Sequence, residues 1–306
     1  MPLLCPETPE PRYFPAVDPK TLNALVHDRE AAFYDDRFLI DFDARIAAEI
    51  RRDLRTLLGY EPDARRALDV ATGTGYLAIG LAAAGIAEEV HACDLSPAML
   101  ARARVNAAAT NTAITTAVCD AEQLPYPDDS FDLVVARGAL HHVPDPLASL
   151  KEIRRVLEPG GIAIVQAEPT PSGEKQVGAV VGIAWRAIEV ARRLRGHTPD
   201  IIEQERRSWE LASIAANLHT FDPTEVAILA EKAGFEDITV GTASWAWIIT
   251  LGINYFLVGE FELLGRNQFV RRGARAIADT AAAFDRLVAD RILPQRWRHT
   301  IQAVLR

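Results

Sequence analysis

The chain has 306 residues, of which 25% are charged and 49% hydrophobic, a composition typical of a globular protein. Its formal net charge of −9 argues against broad nucleic-acid binding, which depends on neutralising phosphates with Lys and Arg. The three cysteines, Cys5, Cys93 and Cys119, have neither metal-site spacing nor the pattern of a disulfide framework, so we expect no metal and a cytoplasmic location.

The first 60 residues divide into an arm and a helical segment. Residues 1–20 are rich in proline, which predicts an extended arm, and they lack the basic region and apolar stretch of a signal peptide. Residues 21–60 predict two helices. In the second, apolar side chains recur at intervals of three and four, at Phe42, Ile46, Ile50, Leu54 and Leu57.

Residues 61–168 alternate short apolar runs with helical patterns. Repeated alternation predicts a doubly wound α/β fold with a parallel sheet and right-handed crossovers. The strands are expected near residues 67–71, 89–93, 114–119, 131–136 and 161–167. Ser96 followed by Pro97 is a strong helix start, which places a helix directly after the second strand.

A glycine-containing turn follows the first strand, in the segment LDVATGTGYLA (Leu68–Ala78). Gly73 and Gly75 let the backbone bend sharply and approach a ligand closely. Asp94 ends the second strand, where its carboxylate can accept hydrogen bonds from two ribose hydroxyls. These features predict an adenosine-containing cofactor. Because they also satisfy the dinucleotide pattern, a nicotinamide cofactor is an alternative at this point.

Two further acidic residues favour a cofactor other than a dinucleotide. Asp69 precedes the first glycine, a poor neighbour for a pyrophosphate but a good one for an α-amino group. Asp120 ends the third strand and is followed by Ala121, a pair suited to the edge of an adenine ring.

Residues 67–168 resemble the class I S-adenosylmethionine-dependent methyltransferases, in particular the ubiquinone/menaquinone-biosynthesis type. The matching segments are LDVATGTG, CDLSPAML, CDAEQLPYPDDSFDLVV, ALHHVPDP and LEPGG, with weaker support from FDPTEVAILAEKAGFEDITV. The resemblance implies a mostly parallel, seven-stranded Rossmann-like sheet. It also implies that S-adenosyl-L-methionine is the cofactor and S-adenosyl-L-homocysteine the product.

The resemblance further implies which residues hold the cofactor. They are Asp69, Ala71, Gly73, Gly75, Asp94, Leu95, Met99, Asp120, Ala121, Arg137 and Tyr34. Tyr34 belongs to the helices that roof the pocket in this family, and packing against the core is the alternative. Arg137 follows the fourth strand, where lining the pocket and forming a surface ion pair are equally open.

His141 and His142 follow the fourth strand, near the expected path of a methyl acceptor. A histidine can remove the proton of a hydroxyl whose oxygen attacks the methyl group. Alternatively, both histidines shape the loop. Methyl transfer needs little acid–base help because the sulfonium is already activated, so alignment and desolvation can supply most of the rate.

Residues 169–220 predict a helical cap inserted after the fifth strand. Its apolar stripe suits a bulky apolar acceptor, although packing on the sheet is the alternative. The stripe comprises Val177, Val180, Val181, Ala184, Trp185 and Ile188.

Residues 221–258 are expected to complete the sheet with two strands, EDITVGTASW and AWIITLGINYFLVGEF, although the second can continue into a helix. The apolar run is too short to span a membrane. Four aromatic side chains are candidates for either the acceptor site or the core, namely Trp245, Trp247, Tyr255 and Phe256.

Residues 259–306 predict an amphipathic, arginine-rich helical extension. Such a segment docks on its own domain or on a second subunit, giving a homodimer, or makes a peripheral contact with an anionic membrane. The apolar face is expected to contain Ile277, Ala281, Phe284, Leu287 and Val288.

These observations predict a methyltransferase that acts on oxygen or carbon of a small or medium hydrophobic molecule resembling a quinone, a polyketide or a lipid. One alternative is a protein of the same fold that binds the cofactor but catalyses a rearrangement or cyclisation, or acts as a regulator. A nicotinamide oxidoreductase is the second alternative.

Overall fold

Seven strands form one sheet in the computed structural model, which describes residues 17–194, 216–260 and 268–306. The strands are β1 (Ala64–Val70), β2 (Ala87–Asp94), β3 (Thr115–Val118), β4 (Phe131–Arg137), β5 (Leu157–Pro169), β6 (Ile238–Ala243) and β7 (Thr300–Leu305). Their order across the sheet is β3-β2-β1-β4-β5-β7-β6. The first five strands are parallel, and β7 is antiparallel to both β5 and β6. The predicted fold class is therefore confirmed.

Helices flank the sheet on both sides. They are α1 (Pro19–Glu30), α2 (Tyr34–Arg37), α3 (Ile46–Leu58), α4 (Tyr76–Ala83), α5 (Pro97–Ala109), α6 (Pro146–Val156), α7 (Pro171–Leu194), α8 (Pro223–Ala233), α9 (Ala246–Glu260) and α10 (Gln268–Phe284). The starts of α5, α6 and α8 follow one chemical rule. Ser96, Asp145 and Asp222 each accept a backbone N–H from the first turn, and a proline occupies the first helical position.

The core lies on both faces of the sheet because side chains alternate along each strand. On one face, Leu68 and Val134 pack with residues of α6 and α8. On the other, Ala67 and Val135 pack with residues of α3 and α4. The five strands predicted within residues 61–168 agree with β1 to β5 to within a few residues. The fifth begins earlier than expected, at Leu157.

Two predictions for the C-terminal half are wrong. Of the two strands expected in residues 221–258, the first is β6, but the segment expected to form the second is the helix α9. The last strand of the sheet is instead β7, within the segment predicted to be helical throughout. Because β7 runs antiparallel, its first residues lie at the edge where the parallel strands end, and Thr300 pairs with Pro169 at the end of β5.

The helix α10 is amphipathic, but its buried face differs from the predicted one. Ala278 packs with Leu39 and Leu251, whereas Ile277 is 63% exposed, and Leu287, just beyond the end of the helix, is 64% exposed. Arginines fasten this helix to the N-terminal segment. Arg271 pairs with Asp41 at 2.8 Å, and Arg275 pairs with Glu49 at 2.7 Å. Within the chain, α10 therefore docks on its own domain.

Parts of three predicted segments lie outside the described residues. These parts are residues 1–16 of the proline-rich arm, residues 195–215 of the cap and residues 261–267 of the C-terminal extension. The side chains of Tyr255 and Phe256 also lie outside them. Among the helices that the structure describes, none is long and apolar enough to cross a bilayer.

Candidate active site

A cavity of about 1800 Å³ opens at the carboxyl edge of the parallel strands. In open α/β sheets, ligands bind at this edge because the loops that follow the strands converge there. All but one of the predicted site residues line the cavity. Those that line it are Tyr34, Asp69, Ala71, Gly73, Asp94, Leu95, Met99, Asp120, Ala121, Arg137, His141 and His142.

Hydrogen bonds to Asp94 connect the glycine turn to the end of β2. The carboxylate of Asp94 accepts the backbone N–H of Gly73 at 2.8 Å and that of Ser96 at 2.8 Å. Burial raises the pKa of Asp94 above its ordinary value, and the two N–H groups oppose that rise. Gly73 has a φ of +54°, and no protein atom lies within 4 Å of a Cβ built on it. The space beside the backbone here is therefore open.

Gly75 is the predicted cofactor residue that does not line the cavity. It has a φ of +94° and begins α4, and a Cβ built on it would lie 2.9 Å from Cδ1 of Ile79 and 3.1 Å from Cβ of Ala103. Gly75 therefore lets α4 start sharply and pack closely on α5. Its contribution to the site is made through the shape of the turn.

Asp69 lies beneath the same turn. Its Oδ2 accepts the hydroxyl of Thr72 at 2.6 Å and the backbone N–H of Ala78 at 2.9 Å. Burial raises the pKa of this carboxyl to about 7, although both hydrogen bonds oppose the rise. The group is thus poised to change charge near neutral pH while it lines the cavity.

Lys20 connects the N-terminal helices to the end of β3. Its Nζ lies 2.6 Å from Oδ2 of Asp120 and 2.6 Å from Oε2 of Glu122. Farther along α1, the carboxylate of Asp28 accepts the backbone N–H of Ala98 at 3.1 Å. The ion pairs of Lys20 and the hydrogen bond of Asp28 therefore anchor the helix α1 over the strand ends. Lys20 itself also lines the cavity.

Arg137 lies between two aromatic rings at the end of β4. Its guanidinium is 5.3 Å from the ring centroid of Tyr76 and 5.7 Å from that of Trp247. No salt bridge joins Arg137 to a carboxylate among the residues that the structure describes. An arginine held by rings and free of an acidic partner is suited to binding a carboxylate of a ligand.

His141 forms a pair with Glu168, at the end of β5. The Nδ1 atom of His141 lies 2.8 Å from Oε2 of Glu168, which is fully buried. The same carboxylate accepts the backbone N–H groups of Ala139, Leu140 and His141 at 2.8, 3.0 and 3.0 Å. Four hydrogen bonds therefore surround the carboxylate of Glu168, and the one to Nδ1 fixes the orientation of the imidazole.

His142 occupies a different environment. Its ring centroid lies 3.9 Å from that of His141, with the two rings tilted by 40°, and 4.8 Å from that of His27 in an edge-to-face contact. Burial, together with the neighbouring histidines, lowers the pKa of His142 well below its ordinary value. Its Nδ1 lies 3.1 Å from the carbonyl oxygen of Ala216, so we assign the neutral form in which Nδ1–H donates. A group of such low pKa is a weak base.

The remaining cavity wall is largely apolar. Val177 from α7, together with Trp247, Ile248 and Leu251 from α9, lines it. Of the other predicted aromatic candidates, Trp245 is outside the lining and donates its indole N–H to Gln176 at 3.1 Å.

Several functional candidates are missed by the sequence analysis. Glu168 is the most important, and its only local signal is an acidic residue at the end of an apolar strand. Lys20, His27 and His299 also line the cavity. Each lies far in sequence from the residues that it approaches, so no local pattern indicates its role.

The comparisons with known proteins agree with this geometry. Residues 68–165 match the methyltransferase domain family. The ubiquinone biosynthesis O-methyltransferase of Cereibacter sphaeroides is 30% identical over 220 residues, covering 69% of this chain and 78% of that protein. The chain belongs to the class I S-adenosylmethionine-dependent methyltransferase family. The predicted family is therefore confirmed.

Other members of the family match a smaller part of the molecule. The malonyl-[acyl-carrier protein] O-methyltransferase of Halorhodospira halophila is 46% identical over 175 residues, covering 56% of this chain and 49% of that protein. The chain spans about half the length of the first curated relatives that it matches.

A solved structure shares the fold. It is the phosphoethanolamine N-methyltransferase 2 of Haemonchus contortus in complex with phosphomonomethylethanolamine and S-adenosylhomocysteine. The TM-score is 0.56 at 18% identity, with coverage of 95% of this chain and 60% of the other.

Proposed function

We propose that this protein transfers a methyl group from S-adenosylmethionine to an oxygen or carbon atom of a hydrophobic small molecule. One observation carries the proposal. A single cavity is lined by the residues suited to an adenosine cofactor, by His141, whose Nδ1 pairs with Glu168 behind it, and by an apolar wall. Its volume of about 1800 Å³ exceeds the roughly 300–1,000 Å³ of ordinary ligand pockets. That size leaves room for both a cofactor and a bulky acceptor.

The residues at the strand ends fit the parts of this cofactor. Asp94 accepts two backbone donors among the described residues, so its remaining lone pairs can accept the ribose hydroxyls. Asp120 and Ala121, which both line the cavity, would hold the adenine. Arg137 would bind the carboxylate of the methionine portion, and Asp69 would hold its α-amino group. Gly73 lets the backbone lie against the ligand.

When bound, the cofactor supplies an electrophilic methyl group on a positively charged sulfur. The chain's own contribution is to position the acceptor and to accept a proton. With Nδ1–H directed at Glu168, the Nε2 atom of His141 carries a lone pair that can take the proton of an acceptor hydroxyl. The proton then resides on His141, and the buried charge of Glu168 stabilises the imidazolium.

The class of acceptor is inferred from the cavity wall and from the relatives. The walls contributed by α7 and α9 suit a bulky apolar skeleton resembling a quinone, a polyketide or a lipid. Two relatives are named as O-methyltransferases, one in ubiquinone biosynthesis and one for malonyl-[acyl-carrier protein]. Together with a histidine placed to deprotonate a hydroxyl, these names favour oxygen as the methylated atom.

The test is transfer of a deuterated methyl group. Purified protein is incubated with S-adenosylmethionine carrying a trideuterated methyl and with a panel of hydroquinones, phenolic polyketides and malonyl thioesters. We expect mass spectrometry to find the label in the hydroxyl-bearing hydrophobic compounds. Protein that binds S-adenosylhomocysteine but labels no acceptor would instead support a role without methyl transfer.

A further inference from the structure

His299 is a buried histidine that the mechanism above does not use. It immediately precedes β7, is 1% exposed and lines the cavity. Among the residues that the structure describes, neither Nδ1 nor Nε2 has a hydrogen-bond partner. A polar atom that is buried without a hydrogen-bond partner is unfavourable for folding. A buried ring with two unpaired nitrogen atoms therefore needs a structural or functional explanation.

The backbone of His299 is held from several sides. Its N–H donates to the carbonyl of Ser244 at 2.9 Å, and its carbonyl accepts the N–H of Thr170 at 3.0 Å. The first turn of α7 lies against it, since a Cβ built on Gly173 would be 2.7 Å from Cα of His299. The unpaired ring thus belongs to a rigid junction between β7 and the ends of β5 and β6.

The antiparallel direction of β7 brings His299 to the catalytic edge of the sheet. Glu168 pairs with Ile301 across the β5–β7 ladder, and Thr300 pairs with Pro169. His299 is the next residue along, and it shares one cavity with His141. Among the imidazoles that line the cavity, that of His141 is paired with the carboxylate of Glu168, whereas that of His299 has no hydrogen-bond partner among the described residues.

We propose that His299 forms a second polar subsite for the methyl acceptor, which holds a neutral hydroxyl or carbonyl oxygen remote from the atom that is methylated. This inference rests on the proposed function. A neutral imidazole offers one donor and one acceptor, which matches a hydroxyl, a group that both donates and accepts.

Two carboxyl groups make an anion unfavourable at this subsite. Asp285 and Asp290 both line the cavity, and Asp285 is close enough to His299 to interact with its ring. Asp285 is 2% exposed, and its oxygens accept the N–H groups of Ala246 and Trp247 at 2.9 and 2.8 Å. Burial lowers the pKa of His299, although Asp285 acts against that shift. An uncharged ring beside two carboxyl groups favours a neutral oxygen over a carboxylate or a phosphate.

The experiment uses hydroquinone as a probe, with 1,4-dimethoxybenzene as the matched compound that lacks hydroxyl donors. The full-length protein is saturated with S-adenosylhomocysteine and labelled with ¹⁵N-histidine. We expect hydroquinone, but not the dimethoxy compound, to shift the ring nitrogens of His299. In His299→Phe, which keeps a planar ring, hydroquinone should bind about tenfold more weakly, while S-adenosylhomocysteine binds as before.

Stability separates a subsite from a structural residue. Because His299→Phe and His299→Leu remove two unpaired polar atoms, we expect the midpoint of thermal unfolding to stay unchanged or to rise. His91→Leu is the matched control, because His91 also has a buried unpaired Nδ1 but lies outside the cavity. It should leave hydroquinone binding unaltered.

Three outcomes would overturn the inference. One is wild-type hydroquinone affinity in both His299 variants, which would mean that only water satisfies the ring. Another is a fall in stability with no change in affinity. The third is no hydroquinone binding by the wild-type complex at millimolar concentration. A failure of the proposed function itself is distinguishable, because it appears as the absence of S-adenosylhomocysteine binding or of methyl transfer in the wild-type protein.

Discussion

The Nδ1 atom of His141 lies 2.8 Å from Oε2 of Glu168, a carboxylate that also accepts three backbone N–H groups of the same loop. This one buried carboxylate group therefore has two roles. It folds the loop after β4 around itself, and it selects the tautomer of His141 that has a free Nε2. The proposed catalytic base and the shape of its loop depend on a single residue of the neighbouring strand.

Replacement of Glu168 by glutamine should lower kcat by about 10²–10⁴-fold. The amide NH₂ can donate to Nδ1, which leaves the proton on Nε2 and removes the base. The measurement is single-turnover methyl transfer with saturating cofactor. Affinity for S-adenosylhomocysteine is the control, since Glu168 does not line the cavity. A kcat within threefold of wild type (about 0.65 kcal/mol) would contradict the assignment.

His141→Gln and Glu168→Gln should not be additive. If Glu168 acts through His141, the double variant loses no more kcat than His141→Gln alone. His142→Gln is the matched comparison on the same loop. Because the pKa of His142 is already lowered well below its ordinary value, its replacement should cost much less than that of His141. Equal losses at the two histidines would show that the loop, rather than one base, is responsible.

Affinity for S-adenosylmethionine should rise as the pH increases through about 7. The pKa of Asp69 is about 7 in the free protein, and an ammonium group pairs only with its charged form. Well below that pH, each unit should therefore cost about tenfold in affinity. Asp69→Asn should remove this dependence. Methylthioadenosine, which lacks the amino-acid portion, is the control ligand, and its affinity should not follow the same curve.

The same shift has the opposite consequence for folding. The folded-state pKa of Asp69, about 7, lies above its ordinary value of 3.8. The stability contributed by this group is therefore fully present below pH 4 and is lost as the pH rises to about 7. Chemical denaturation of wild type and Asp69→Asn across this range measures the difference. If the difference in the free energy of unfolding between the two proteins does not change with pH, Asp69 has an ordinary pKa.

Alanine at the two glycines of the turn should separate binding from stability. Gly75→Ala forces a Cβ to 2.9 Å from Ile79 and 3.1 Å from Ala103. It should destabilise the fold by about 1–3 kcal/mol. Gly73→Ala meets no protein atom, so it should weaken cofactor binding by at least about tenfold with a smaller loss of stability. Denaturation and calorimetric titration of both variants provide the comparison. If Gly73→Ala mainly lowered stability and Gly75→Ala mainly weakened cofactor binding, the two assignments would be wrong.

Local chemistry explains what the sequence could predict. The turn glycines, Asp94 and the Ser96–Pro97 helix start lie within short segments whose residue types determine the backbone. Strands β1, β2 and β4 are apolar runs bounded by clear turns. Their ends meet at one edge in any parallel sheet. Twelve of the thirteen predicted site residues consequently line the cavity.

Long-range pairing explains what the sequence could not predict. The strand β7 is a short segment whose place between β5 and β6 depends on contacts with residues far earlier in the chain. The run that forms α9 is apolar on all sides, so periodicity does not distinguish a helix from a strand. Glu168 lies 27 residues after His141 in the chain, and only the β4–β5 pairing brings them together.

The most direct test of the account is calorimetric titration with S-adenosylhomocysteine, with NADH as a control ligand and Asp94→Ala as the variant. We predict micromolar affinity for the wild type, no binding of NADH, and a loss of about 1.5–3 kcal/mol in Asp94→Ala, since two charge-assisted hydrogen bonds to the ribose disappear. Unchanged affinity in a folded Asp94→Ala variant, or no binding by folded wild-type protein, would contradict the assignment of this cavity to the cofactor.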